Sequence, residues 1–280
     1  MATLRYVVCD VFTDRALAGN QLAVFTDGQG LDTDTMQALA LEMGFSETTF
    51  VLPAEQGGTV RVRIFTPRRE VEFAGHPVLG TAWVLGGPLQ RGVVELETLR
   101  GLVPVELERD ESGRIAFGRM SQPVPTVERY PEEQALFAAA GVRESLLPVE
   151  TYDNGLQHTY VRLGSREEVA ALQPDLPMLA SMRVMLNCFA GDGLEWKTRM
   201  FAPGDGVDED PATGSAAGPL VGHLCRHGVV DWGAQIEISQ GAELGRPSTL
   251  YARADGTGDE IERVEVGGCA VVVARGEFKL

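Results

Sequence analysis

Arg63-Ile64-Phe65-Thr66-Pro67 reappears as Arg199-Met200-Phe201-Ala202-Pro203. Each copy is a short run of strand-forming residues that stops at a proline, which cannot donate to a central ladder. Each is followed by a glycine that opens a stretch of small and apolar residues, Gly75-His76-Pro77 in the first half and Gly214-Ser215-Ala216 in the second. Upstream, Glu47-Thr48-Thr49-Phe50-Val51 lines up with Gln157-His158-Thr159-Tyr160-Val161. Matches in the same order in both halves point to a duplicated unit. Residues 77–85 and 215–226 read as helices rich in small apolar residues, and a helix apolar on all sides is a buried one. The expectation is two copies of a unit of short strands around one central helix, with a ligand cleft between the copies.

The surroundings fit that unit. Strand signals fall at 4–11, 22–25, 48–52, 60–65, 93–96 and 103–107, then at 158–163, 196–201, 236–239, 250–253, 264–266 and 270–274. After Asp32 or Asp34 as cap, Met36, Leu39, Ala40 and Met43 keep helical spacing as far as Gly44. Further helices are expected at 131–140 and 165–172, the second with Ser165 and Glu168 at capping-box spacing. Ser121-Gln122-Pro123-Val124-Pro125-Thr126 is the linker candidate, dividing the chain into domains at 1–120 and 127–267.

Composition narrows the function classes. A chain of 280 residues with 40 acidic against 24 basic residues, net −16, repels nucleic acid and anionic membranes. No apolar run approaches the ~20 residues that span a bilayer. The first strand-like run follows Met1 with no basic n-region, and Cys9, Cys188, Cys225 and Cys269 are far apart in apolar segments. Reduced, buried cysteines and a cytoplasmic setting are expected. His223 and His227 share a helix face, but no carboxylate accompanies them in an HExxH pattern, so no metal is assigned. Nucleophile elbow, P-loop and dinucleotide fingerprints are absent.

The two glycine-led helix starts suggest an anion site. A helix N-terminus presents unpaired N–H groups and about half a positive charge, and glycine lets backbone approach a ligand. The plainer alternative is that Gly75 and Gly214 only relieve crowding. Near these starts stand three ionisable residues. Glu47 lies between Phe45 and Phe50, where desolvation would raise its pKa toward the range useful for proton transfer. His76 at a helix start is expected to be neutral. Asp210 precedes Pro211-Ala212-Thr213-Gly214 and fits either an acidic first turn or a partner for a substrate amine or hydroxyl.

These segments resemble the PhzF-like isomerases, which share the diaminopimelate epimerase fold. The resemblance rests on Asp10-Val11-Phe12-Thr13 with Gly19-Asn20, Ser46-Glu47-Thr48-Thr49-Phe50, Arg63 to Pro67, Phe73-Ala74-Gly75-His76-Pro77, and Glu209-Asp210-Pro211-Ala212-Thr213-Gly214-Ser215-Ala216. Asp153-Asn154-Gly155, Leu186 to Gly191, Gln240-Gly241 and Gly245-Arg246-Pro247-Ser248 resemble the phenazine-pathway members in particular. It implies an α+β fold of two pseudo-symmetric domains, each a bent mixed sheet or barrel around a central helix, with residues 268–280 returning to the first domain. It implies a homodimer, no cofactor and no metal. It implies that Glu47 shuttles a proton, that His76 and Asp210 orient and polarise the substrate, and that Ser46, Gly75, Gly214 and Ser215 hold its carboxylate and ring substituents. The substrate implied is trans-2,3-dihydro-3-hydroxyanthranilate. Diaminopimelate epimerases place cysteines at the two helix starts, where this chain has His76 and Ser215, so two-thiol racemisation is not expected. Another small amino or hydroxy acid as substrate, or a non-catalytic binding role on the same fold, stays open at this level.

Overall fold

The computed structural model describes residues 3–280, so residues 1 and 2 of the expected first domain lie outside the described residues. The first half runs β1 (Thr3–Val11), β2 (Asn20–Phe25), α1 (Thr33–Met43), β3 (Glu47–Leu52), β4 (Val60–Phe65), β5 (Glu70–Val71), α2 (Gly75–Leu89), β6 (Val93–Thr98), β7 (Gly101–Arg109) and β8 (Ile115–Gln122). The second runs β9 (Thr126–Arg129), α3 (Glu133–Ala140), β10 (Glu150–Asp153), β11 (Gln157–Arg162), α4 (Arg166–Ala170), α5 (Leu176–Met182), β12 (Met185–Asp192) and β13 (Glu195–Ala202). It continues through β14 (Val207–Asp210), α6 (Gly214–Arg226), β15 (Gln235–Gln240), β16 (Ser248–Thr257), β17 (Glu260–Gly268) and β18 (Ala270–Lys279).

The pairings repeat strand for strand. In the first half β1/β2, β3/β4, β4/β5, β6/β7 and β7/β8 are antiparallel, while β2/β3 and β4/β6 are parallel. In the second half β10/β11, β12/β13, β13/β14, β15/β16 and β16/β17 are antiparallel, while β11/β12 and β13/β15 are parallel. The last strand of each series crosses over: β9 pairs with β10, and β18 returns to pair with β1. β8 also pairs with β17, which joins the two sheets. The result is a mixed-sheet α+β fold.

Register corrects one expectation. Ile64 pairs with Thr49 and its counterpart Met200 pairs with Asn187, so Glu47 corresponds to Met185. Leu22 pairs with Glu47 as His158 pairs with Met185. The strand at 157–161 is thus the counterpart of β2 and not of the Glu47 strand. Both are buried parallel strands of similar composition, and α4 and α5 intervene before the true counterpart, so a local pattern does not separate them.

The repeated Arg-x-Phe has a physical basis. Arg63 donates through Nε and Nη2 to Glu70, and Arg199 donates in the same two-pronged way to Glu209. Each guanidinium also lies over the phenylalanine two residues on, at 5.1 Å for Phe65 and 5.0 Å for Phe201.

Of the central helices, α2 is buried from Gly75 to Ala82, while Trp83, Val84 and Leu85 are half-buried and Leu89 is exposed. α2 packs against β1, β2, β3, β6, β7, β8 and β18, strands spread so widely that the sheet must curl around it. Every residue of α6 from Gly214 to Cys225 is buried. Two smaller expectations change. Ser121 and Gln122 belong to β8, paired with Glu265 and Val264, so the linker shrinks to residues 123–125. Cys269 is half-exposed, unlike Cys9, Cys188 and Cys225, and all four are free. Among the described residues no helix is long and apolar enough to cross a membrane.

Candidate active site

The starts of α2 and α6 meet. A Cβ on Gly75 would lie 2.7 Å from Gly214 Cα and closer still to the Gly214 carbonyl carbon and Ser215 N. A Cβ on Gly214 would lie 2.8 Å from Phe12 Cζ. Glycine is therefore required at both positions for backbone to touch backbone. The crowding that requires glycine is the same contact that brings both N-termini to one cleft. Neither start is closed by a side chain: Ala74 and Thr213 make no capping hydrogen bond. Thr213 has a hydroxyl but donates it to Asp210 Oδ2 at 2.6 Å.

Asp210, His76 and Glu47 converge at this contact. Asp210 Oδ1 accepts from Asn20 Nδ2 at 2.8 Å and Ser46 Oγ at 2.9 Å. With Thr213 that makes three donors, which leaves room for one more on a carboxylate of about four acceptor sites. Gln240 fixes the loop beneath it, donating to the Asp210 carbonyl and to Thr213 Oγ1, both within 2.9 Å. Asn20 Nδ2 also lies 3.1 Å from His76 Nδ1 and 2.9 Å from the Ala212 carbonyl. Asn20 is positioned from the other half: Arg246 donates to Asp10 and to the Ala18 and Gly19 carbonyls, pinning the turn before β2.

Glu47 opens β3 with its side chain 13 % exposed and its Oε2 buried without a hydrogen-bond partner, 3.5 Å from His76 Nε2. Burial pushes its pKa well above the ordinary carboxylate value, and the charges of Asp210 and Asp205 push the same way. Burial also raises Asp210, but hydrogen bonds from Thr213, Ser46 and Asn20 oppose it and favour its anion. Burial lowers His76 to about 3, so the ring is neutral. A carboxylate held by three donors, a neutral imidazole and a buried carboxyl of raised pKa are thus set side by side.

The cleft they share holds about 30 Å³, close to the room of one water. In this conformation the cleft has no room for a ring-sized ligand. Two contacts bridge the halves at the rim: Arg69 Nε to Asp205 Oδ1 at 2.9 Å, and Arg68 Nη1 to the Gly204 carbonyl at 3.2 Å.

The opposite wall comes from the second half: Leu156, His158, Met185, Met200, Ala202 and Ser215. Met185, the counterpart of Glu47, is an apolar side chain, so no carboxylate stands at the symmetry-related position. Among the described residues no cysteine lines the cleft. Sequence reading passed over Asn20, Thr213, Gln240 and His158 as site residues. Asn20 and Gln240 lay within quoted motifs, but their partners are distant in the chain. The structure also gives His223 and His227 the carboxylate that the sequence did not place near them. Glu150 Oε2 is 3.1 Å from His223 Nδ1 and from His227 Nε2. The Arg226 guanidinium is 2.8 Å from the same oxygen and Tyr152 donates to it at 2.9 Å, which makes the group an ion-pair network.

The profile of the phenazine biosynthesis-like protein family, PhzC-PhzF, matches residues 9–276. The chain belongs to this family. It is 48% identical over 277 residues, 99% of each chain, to the trans-2,3-dihydro-3-hydroxyanthranilate isomerase of Pseudomonas aeruginosa. The crystal structure of the Bacillus anthracis phenazine biosynthesis protein of the PhzF family superposes with a TM-score of 0.86 at 24% identity, covering 100% of both chains. A hydroxyproline epimerase from Agrobacterium vitis superposes with a TM-score of 0.73 at 12% identity, over 98% of this chain and 92% of that one. Both are likenesses of fold. They place the phenazine family and the epimerases on one duplicated architecture, the one the strand pairings describe here.

Proposed function

We propose that this chain is an isomerase of trans-2,3-dihydro-3-hydroxyanthranilate, acting in phenazine biosynthesis without a cofactor. The substrate is taken from the Pseudomonas aeruginosa relative. The chemistry is carried by one observation: Glu47, a buried carboxyl of raised pKa with an unpartnered oxygen, faces a cleft at two helix N-termini. In this reading the substrate carboxylate lies at the starts of α2 and α6, against Gly75, Gly214 and Ser215. Asp210 uses its remaining acceptor site for the substrate amine or hydroxyl, beside Ser46, and His76 polarises the ring. Glu47 takes the C3 proton as the electron pair moves into the diene, then returns a proton at C1. No atom is gained or lost and nothing is oxidised. The enol so formed tautomerises to the ketone. The apolar Met185 at the position matching Glu47, and the use of Asp210 as a substrate acceptor, favour this one-face shift over racemisation.

The two domains are proposed as 1–120 with 268–280, and 127–267, their edges extended to 122 and 126 by β8 and β9. A homodimer in the cytoplasm is proposed from the family resemblance, and light scattering measures the mass. The deciding experiment is proton NMR of the substrate in deuterated water with wild type and with Glu47→Gln. Loss of the diene signals with wild type alone supports the reading. Unchanged signals with wild type overturn the substrate and bring another small amino or hydroxy acid forward.

A further inference from the structure

Behind Ser215, which the reaction above sets against the substrate carboxylate, lies a hydrogen-bonded series that the reaction does not otherwise use. His158, fully buried on β11, has Nε2 at 2.9 Å from Ser215 Oγ and Nδ1 at 3.4 Å from Asn187 Nδ2. His158 and Ser215 both line the cleft.

The direction of these bonds follows from chemistry. Asn187 Nδ2 also faces the Met185 carbonyl at 3.3 Å and the Thr159 carbonyl at 3.5 Å. Carbonyls only accept, so the amide nitrogen, and not its oxygen, belongs on that side. That nitrogen cannot accept, so a hydrogen on His158 Nδ1 would face a donor and the unprotonated nitrogen belongs there. The ring is neutral, since burial lowers its pKa to about 3, so its single proton is on Nε2. Nε2–H then donates to Ser215 Oγ, and the serine's own hydrogen is turned away from His158.

We propose that His158, held by Asn187, is a positioning residue that fixes Ser215 as a hydrogen-bond donor to the substrate carboxylate at the start of α6. A serine hydroxyl rotates freely and serves equally as donor or acceptor; an anion is held only by the donor. Asn187–His158–Ser215 stands opposite Asn20–His76 at the other helix start, so each half aims an asparagine-anchored histidine at the same cleft. This inference rests on the proposed substrate class, a ring carboxylate.

His158→Phe keeps the ring shape and removes both nitrogens. Losing one hydrogen bond to a charged group corresponds to about 10- to 100-fold in affinity. KM is expected to rise by that factor with kcat within about threefold, the pattern of lost uniform binding. His158→Gln restores an N–H donor and should recover most of the affinity. Ser215→Ala should show the same rise, and the double variant His158→Phe with Ser215→Ala should be no worse than Ser215→Ala. A merely structural role would lower stability and active fraction while leaving KM unchanged. Calorimetric titration with anthranilate repeats the comparison without turnover. A wild-type chain that leaves the substrate untouched would therefore sink the function reading, while the anthranilate series still decides this one. Nitrogen-15 NMR of the wild-type His158 ring reads the tautomer with no variant at all. An Nδ1–H tautomer, an unchanged affinity in His158→Phe, or additive losses in the double variant would each overturn the proposal.

Discussion

Gly75→Ala probes the contact on which the whole site depends. The added methyl carbon would stand 2.7 Å from Gly214 Cα, with the Gly214 carbonyl carbon and Ser215 N nearer still. Ordinary van der Waals contact starts near 3.4 Å, so the two helix starts must separate by about 1 Å to clear the nearest atoms. Every atom met is backbone, so no side chain can rotate to relieve the clash. Overpacking of this kind costs about 1–3 kcal/mol. The separation also carries Ser215 and Asp210 away from His76 and Glu47, and a misplacement near 1 Å costs about 10² in rate. Urea denaturation with steady-state kinetics on the same sample measures both effects. Gly92→Ala is the control: nothing lies within 4 Å of its added carbon, and a change within about 0.5 kcal/mol with full activity is expected. If Gly75→Ala matched wild type in stability and in kcat/KM, the helix starts would not touch and the site geometry argued from them would fall.

Acid titration separates the buried groups. His76 and His158 have folded pKa values near 3 against the ordinary 6.5, so their contribution is present above pH 6.5 and lost as pH falls toward 3. Glu47 runs the other way: its folded pKa is raised, so its contribution is full below about 4.5 and lost as pH rises through the folded value. Glu47→Gln should therefore lose stability more steeply than wild type between pH 6.5 and 4.5, by up to about 1.4 kcal/mol per pH unit; equal slopes in denaturation at stepped pH would refute this. Arg199→Met removes a nearly buried guanidinium that pairs with Glu209 and takes up the Val169, Ala170 and Leu172 carbonyls. It should cost about 3–5 kcal/mol by calorimetry or urea, because Glu209 is left charged and unpaired. Asp205→Asn removes one charge that raises Glu47 and the partner of Arg69, so the acidic limb of kcat/KM should move to lower pH. A limb that stays in place would show that Asp205 does not reach Glu47 electrostatically.

Much of the site was legible because its signals are local. Gly75 and Gly214 stand at the start of small-residue helices, and a helix start is visible in a few consecutive residues. Glu47 beside Phe45 and Phe50, His76 after Gly75, and Asp210 ahead of Gly214 were all read from neighbours in the chain, as was Asp32 as the cap of α1. The duplication was legible in the Arg-x-Phe-x-Pro repeat, since the same ion pair and ring contact constrain both copies.

What the tertiary structure alone decided involves partners far apart in the chain or a shift in register. That Met185, and not a residue of β11, is the counterpart of Glu47 depends on which parallel strand lies beside which. Composition does not encode that order when two buried strands look alike. Asn20 reaches Asp210 across 190 positions, His158 reaches Ser215 across 57, and Glu150 reaches His223 across 73. Hydrophobic periodicity and propensity act over a few residues. Hydrogen-bond direction, desolvation and the contact of two helix starts exist only once the two sheets have closed around them.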